Sequence, residues 1–277
     1  MTSPSEQRTD VCYRHPDRQS FVLCQRCGRT ICPECQTQAA VGVHCPECVR
    51  EARASAPRTK PAVVTALRRQ GAPVVTYAIM AVCILLWLTE LLPGNPTANA
   101  LLYWGPYTLV EPWRLVTYAF VHAAPWPIHL LVNMLSLWIL GRILEPVVGR
   151  VRFLAIFLLS ALGGSVAVLV LAPVTPVVGA SGGVFGLFAA LFVIQRRMGA
   201  TNVQLLVVIG LNLAIGFFLP GISWQGHLGG LLIGALVALI LWMTRHRAQR
   251  WMQLILCLAV TVALLAIAAV RALLTFT

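Results

Sequence analysis

Gly179-Ala180-Ser181-Gly182-Gly183 opens an apolar run that reaches Ile194 and closes on Arg196-Arg197. A helix needs about 20 such residues to cross a bilayer, and this one starts with a serine held between glycines. Flanking glycines let other backbone approach, and a helix N-terminus offers unpaired N–H groups to a developing oxyanion. Small residues also pack helices together in lipid, so the motif alone does not separate chemistry from packing. Gly226-His227-Leu228-Gly229-Gly230 opens a second apolar run. A histidine is costly inside a membrane span and marks function more often than one in a soluble core.

The rest of the chain supports a bilayer as its solvent. Of 277 residues, 58% are hydrophobic and 11% charged, more apolar surface than a soluble domain of this length hides. Apolar runs predict spans at 74–92, 128–145, 151–171, 181–198, 202–219, 224–243 and 251–270. Pro93-Gly94 and Pro220-Gly221 punctuate them. The formal charge of +12 does not imply nucleic acid, because the arginines cluster near the N-terminus and at the ends of apolar runs. Arg68, Arg69, Arg142, Arg150, Arg152, Arg196, Arg197, Arg245, Arg247 and Arg250 fall on alternate connections, and the opposite ones carry only Arg114. Such asymmetry predicts a cytoplasmic N-terminus, an external C-terminus and a multi-pass protein of the cell membrane. Residues 1–60 hold no long apolar core, so no secretory signal peptide is expected. The connection 93–127 carries Tyr103, Trp104, Tyr107, Trp113 and Trp126, residues that favour headgroup depth, and is expected to lie half-embedded at the outer face.

The orientation sets Ser181 and His227 at the outer ends of their helices. Gly182, Gly186 and Ala190 form a small-residue stripe on one helix, and Gly226, Gly230 and Gly234 form another. Close contact along these stripes brings a serine hydroxyl within reach of an imidazole. His129 and Asn133 share one helix face at i, i+4 and can donate to an oxyanion. The spans hold no Asp, which excludes an aspartyl protease and a Ser-His-Asp triad there. No H-E-x-x-H occurs, so a zinc-dependent membrane protease is unsupported. Glu145 lies about a membrane's thickness from His227. A Ser-His dyad is left, and transport is disfavoured by the missing intramembrane acids.

Residues 73–245 resemble a rhomboid intramembrane serine protease. Gly179-Ala180-Ser181-Gly182 matches the family's G-x-S-G, and His227, Gly230 and Gly234 match its A-H-x-x-G-x-x-x-G with Gly226 in place of Ala. His129 and Asn133 match H-x-x-x-N, and Trp113-Arg114 match the W-R of the first outer loop. The resemblance implies an all-α membrane protein, a six-helix core at 73–245 with a seventh transmembrane helix in 246–277. It implies that Ser181 attacks a scissile carbonyl in a transmembrane protein substrate while His227 takes its proton. The oxyanion is then held by the Ser181 N–H, His129 and Asn133, and water hydrolyses an acyl-enzyme without a catalytic cofactor. Phe185 stands where relatives often have Tyr, so its ring can pack on His227 but donates no hydrogen bond. The alternative is an inactive rhomboid-like adaptor that binds membrane clients; such relatives lack the serine or histidine.

Residues 11–50 carry Cys12-x2-His15, Cys24-x2-Cys27, Cys32-x2-Cys35 and Cys45-x2-Cys48, with His44 adjacent. Eight ligands suffice for two tetrahedral zinc ions with no position open to water, hence structural. An odd number of cysteines in a reducing compartment argues against disulfides. So few large apolar residues (Phe21, Val22, Leu23, Ile31) cannot fold without metal. The unit resembles a B-box-type zinc finger, which implies alternate pairing: Cys12, His15, Cys32 and Cys35 on one ion, Cys24, Cys27, Cys45 and Cys48 on the other. Sequential pairing is the alternative. Such fingers bind protein more often than nucleic acid, so a protein partner is expected. Residues 1–10 read as a disordered tail and 51–72 as a basic linker or short interfacial helix.

Overall fold

The structure, a computed structural model, describes residues 10–39, 41–55, 72–122, 127–200, 203–219 and 221–277. The tail before Asp10, most of the basic stretch 51–72, Trp126 and Pro220 lie outside the described residues. The chain divides between Lys60 and Pro61 into two compact units.

The first unit is small and built around sulfur. Two short antiparallel strands, β1 (Thr37–Gln38) and β2 (Val43–His44), pair Thr37 with His44 and Gln38 with Val43. Helix α1 (Pro46–Ser55) follows and runs beyond the last cysteine. Six cysteines and Ile31 are the buried core, with Tyr13 and Val43 packed beside them. That is too little apolar area to fold a chain of this size unaided.

The second unit is helical: α2 (Val74–Glu90), α3 (Pro96–Leu101), α4 (Arg114–Thr117), α5 (Pro127–Val148), α6 (Arg150–Leu171), α7 (Ser181–Arg197), α8 (Val203–Phe218), α9 (Trp224–Met243) and α10 (Arg250–Phe276). Each expected span is met by one helix. Among the described residues, α5, α6, α9 and the stretch Arg247–Phe276 are long and apolar enough to cross a membrane, and α2 and α8 are shorter apolar helices. The protein is therefore a multi-pass membrane protein. Helices α6, α7 and α9 form the centre, packed chiefly on one another. By contrast, α8 buries only Ile209 and Gly216, and α10 only Leu264, Ala268 and Ala272. Their remaining faces are mostly apolar, with Gln204 and Asn212 as exposed polar residues on α8 and Arg250 at the start of α10.

Helix ends explain several polar residues. Pro73 precedes α2 and offers no side-chain cap. Glu145, on α5, supplies one from outside: its carboxylate accepts from Val75 N (2.9 Å), Thr76 N (2.8 Å) and Thr76 Oγ1 (2.7 Å). A charged acceptor at a helix N-terminus satisfies orphan donors and complements the dipole. Gly149 alone joins α5 to α6 at φ +88°, a conformation that glycine adopts without strain. In the connection after α2, Arg114 is buried and donates to Asn99 O (2.8 Å), Leu102 O (2.9 Å) and Glu111 Oε2 (2.7 Å), with its guanidinium 4.8 Å above the Tyr107 ring. Trp113 beside it is exposed.

Candidate active site

The glycine stripes meet as backbone on backbone. A Cβ on Gly230 would lie 2.1 Å from Gly182 O, and one on Gly234 would lie 2.3 Å from Gly186 Cα. Only glycine fits there, and α7 and α9 touch along that line. Helix α6 joins by the same device: a Cβ on Gly229 would lie 2.3 Å from Gly163 O. The sequence reading missed this third glycine surface, although Gly163-Gly164 inside an apolar run is its signature.

Ser181 is the first residue of α7 and is half-buried. His227 stands in the first turn of α9, nearly buried, in a helix capped by Ser223 Oγ accepting from Gly226 N at 3.2 Å. The Gly182–Gly230 contact lies one residue beyond Ser181 and three beyond His227, so both side chains stand at the same end of one helix pair. Phe185, one turn along α7 from Ser181, stacks on the imidazole with centroids 4.2 Å apart and planes 13° apart. Helix α8 brings Gly216 to the ring edge, where a Cβ would lie 3.1 Å from His227 Nδ1. That nitrogen has no hydrogen-bond partner among the described residues. Ser181 and His227 share no hydrogen bond here; catalytic contacts are often long before substrate binds.

The turn before Ser181 is tightly propped. Gly179 sits at φ +118°, and a Cβ there would lie 2.7 Å from the His129 ring. His129 thus packs directly against the serine turn. Its helix partner Asn133 donates Nδ2 to the His129 carbonyl at 2.9 Å, so its amide is engaged within α5. Tyr118 was not singled out in the sequence, yet its carbonyl accepts from Gly179 N (2.9 Å) and its hydroxyl donates to Ala161 O (2.8 Å). His122 was also missed. It is fully buried, its Nε2 accepts from Ala180 N at 3.4 Å, and its own N–H donates to Glu90 Oε1 at 3.1 Å. The only signal was a histidine directly after Tyr118-Ala119-Phe120-Val121.

The first unit holds a separate constellation. Cys12, His15, Cys32 and Cys35 converge, as do Cys24, Cys27, Cys45 and Cys48, each set with its ligand atoms within 4.8 Å of one another. This is the alternate pairing; His44 is in neither set. His15 Nδ1 lies 3.3, 3.5 and 3.8 Å from the sulfurs of Cys32, Cys35 and Cys12, and Cys27 Sγ lies 3.7 Å from Cys45 Sγ. A tetrahedral ion with metal–sulfur bonds of about 2.3 Å sets its ligand atoms about 3.5–3.8 Å apart, so both sets fit a metal ion. Burial opposes ionisation of Cys12 and Cys24, but backbone N–H donors outweigh it and bring both thiols down to about 6. Burial and the neighbouring thiols push Cys35 up to about 11 and Cys48 up to about 12. Such crowding of thiolates is what a bound cation relieves. Arg29, which donates to Cys27 Sγ at 3.3 Å, holds that thiol below its usual value and was not foreseen.

Comparison with known proteins shows what the chain is similar to. Residues 110–244 match the family model described as the Rhomboid domain. The chain is 33% identical to the Rhomboid protease GluP of Bacillus subtilis (strain 168) over 213 residues, which are 72% of this chain and 41% of that protein. It is 37% identical to RHOMBOID-like protein 2 of Arabidopsis thaliana over 138 residues, 47% of this chain and 43% of that protein. It is 32% identical to the Putative rhomboid protease YdcA of B. subtilis (strain 168) over 182 residues, 61% of this chain and 88% of that protein. The chain thus spans less than half the length of the first two and most of the third.

Proposed function

The chain belongs to the rhomboid family of intramembrane proteases, and on that footing we propose that it is a serine endopeptidase acting through a Ser181–His227 dyad. The observation that carries this reading is the backbone contact of Gly182 with Gly230, which sets the serine and the Phe185-stacked imidazole at one end of the same helix pair. In the reaction Ser181 Oγ attacks the scissile carbonyl, and His227 takes its proton and returns it to the leaving amine. The oxyanion is held by the Ser181 N–H with His129, and by Asn133 once its amide leaves the His129 carbonyl. Water then hydrolyses the acyl-enzyme.

Substrates on this reading are transmembrane segments of other proteins, cut near the outer face of the cell membrane, with the N-terminus cytoplasmic as the arginine distribution indicates. Residues 73–245 form a six-helix catalytic core, and α10 is an appended seventh span. Two structural zinc ions hold residues 11–50, since thiolate-rich tetrahedral sites select zinc. That unit is a docking module for a protein partner.

The test is reconstitution in proteoliposomes with a model transmembrane substrate, comparing the natural chain with Ser181→Ala. Cleavage by the former alone is expected. Equal cleavage by both sinks the Ser181 assignment, and binding without cleavage by either favours a client-binding adaptor.

A further inference from the structure

Behind the serine turn lie two buried titratable groups that the dyad does not use. Glu90 ends α2 at 3% exposure, and His122 is at 0%. They are joined to each other and to the turn by two hydrogen bonds: Glu90 Oε1 accepts the His122 backbone N–H at 3.1 Å, and His122 Nε2 accepts the Ala180 N–H at 3.4 Å. Ala180 is the residue before Ser181. The His129 ring, 5.2 Å from that of His122, packs on Gly179 at the other side of the same turn.

The chemistry of these contacts fixes a tautomer. An imidazole nitrogen that accepts from a backbone N–H carries no proton, so neutral His122 must carry its proton on Nδ1. Two side-chain atoms here are buried with no hydrogen-bond partner among the described residues: His122 Nδ1 and Glu90 Oε2. One is then a donor and the other an acceptor. Leaving both unsatisfied is expensive, and their complementarity allows one bridging water to satisfy them together.

We propose that Glu90 and His122 are positioning residues for the nucleophile. The Glu90 carboxylate holds the His122 backbone through one oxygen and, across a bridging water, its Nδ1–H through the other. The imidazole so oriented keeps its Nε2 on the Ala180 N–H and fixes the turn that presents Ser181 between His129 and His227. The proposal rests on Ser181 being the nucleophile. It assigns the Ala180 N–H to the scaffold, leaving the oxyanion to the Ser181 N–H and the side chains of α5.

The experiment uses the full-length chain labelled with 15N-histidine, with cleavage assayed in parallel. The imidazole resonance that disappears in His122→Gln should report an Nδ1–H tautomer in the natural chain. Glu90→Gln should shift it and lower kcat about tenfold, the weight of roughly one buried hydrogen bond, with KM unchanged. His122→Ala should lose more, and His122→Gln, whose amide oxygen can accept near the place of Nε2, should restore part of kcat. An Nε2–H tautomer overturns the proposal. So does a Glu90→Gln protein with unchanged spectrum and unchanged kcat, or a His122→Gln protein no better than His122→Ala. If no form of the chain cleaves, it is the protease reading that fails, and the tautomer measurement still decides the Glu90–His122 pair.

Discussion

At the residue scale the site turns on how little room surrounds His227. Phe185 covers one face of the imidazole, and Gly216 approaches its Nδ1 so closely that a Cβ would lie 3.1 Å away. Gly216→Val should therefore tilt the ring away from Ser181. A misplacement of about 1 Å costs on the order of 100-fold in rate, and the cleavage assay should show a loss of that order while helical content stays unchanged. Phe185→Ala should act through the same ring, and Phe185→Tyr should be tolerated because stacking is kept. Ser181 and His227 stood out in the sequence as candidates because each is a rare polar group opening an apolar run with glycines beside it. Glu90 and His122 were not legible as a pair. They are 32 residues apart, their partners are a backbone N–H and the amide of Ala180, and side-chain identity does not announce such contacts.

At the scale of elements, stability follows from where a glycine can gain a methyl group. Gly230→Ala places a Cβ 2.1 Å from the Gly182 carbonyl, which is backbone and cannot rotate aside. Forced separation of α7 and α9 should cost about 1–3 kcal/mol, as overpacking does. Gly210→Ala on α8 meets nothing within 4 Å and should stabilise by about 0.5–1 kcal/mol through helix propensity. Equilibrium unfolding in mixed micelles distinguishes the two signs. Glu145→Gln should weaken the cap on α2 by about 1 kcal/mol and leave the cleavage chemistry untouched. The helices were readable from apolar runs with Gly and Pro punctuation. The interior of the connection after α2 was not, because Arg114 organises it through the carbonyls of Asn99 and Leu102, and any residue supplies a carbonyl.

At the scale of the whole molecule, the two units have independent cores, one of sulfur and one of packed helices. Metal analysis should find two zinc ions per chain, and a strong chelator should remove them. Amides of residues 10–55 should then lose their protection from hydrogen exchange, because metal binding and folding are one equilibrium in so small a core. Protection in α6, α7 and α9 should persist. The helices of the membrane unit also differ in length. The lipid-facing α2 and α8 have 17 and 16 residues, about 25 Å at 1.5 Å per residue, and α10 has 27, about 40 Å. A hydrocarbon core of about 30 Å is too thick beside the first two and too thin beside the third. The surrounding bilayer must thin beside α2 and α8 while α10 tilts. Acyl-chain length therefore becomes a control on the protein: proteoliposomes of shorter lipids should raise its stability, and thick, sterol-rich bilayers should lower it.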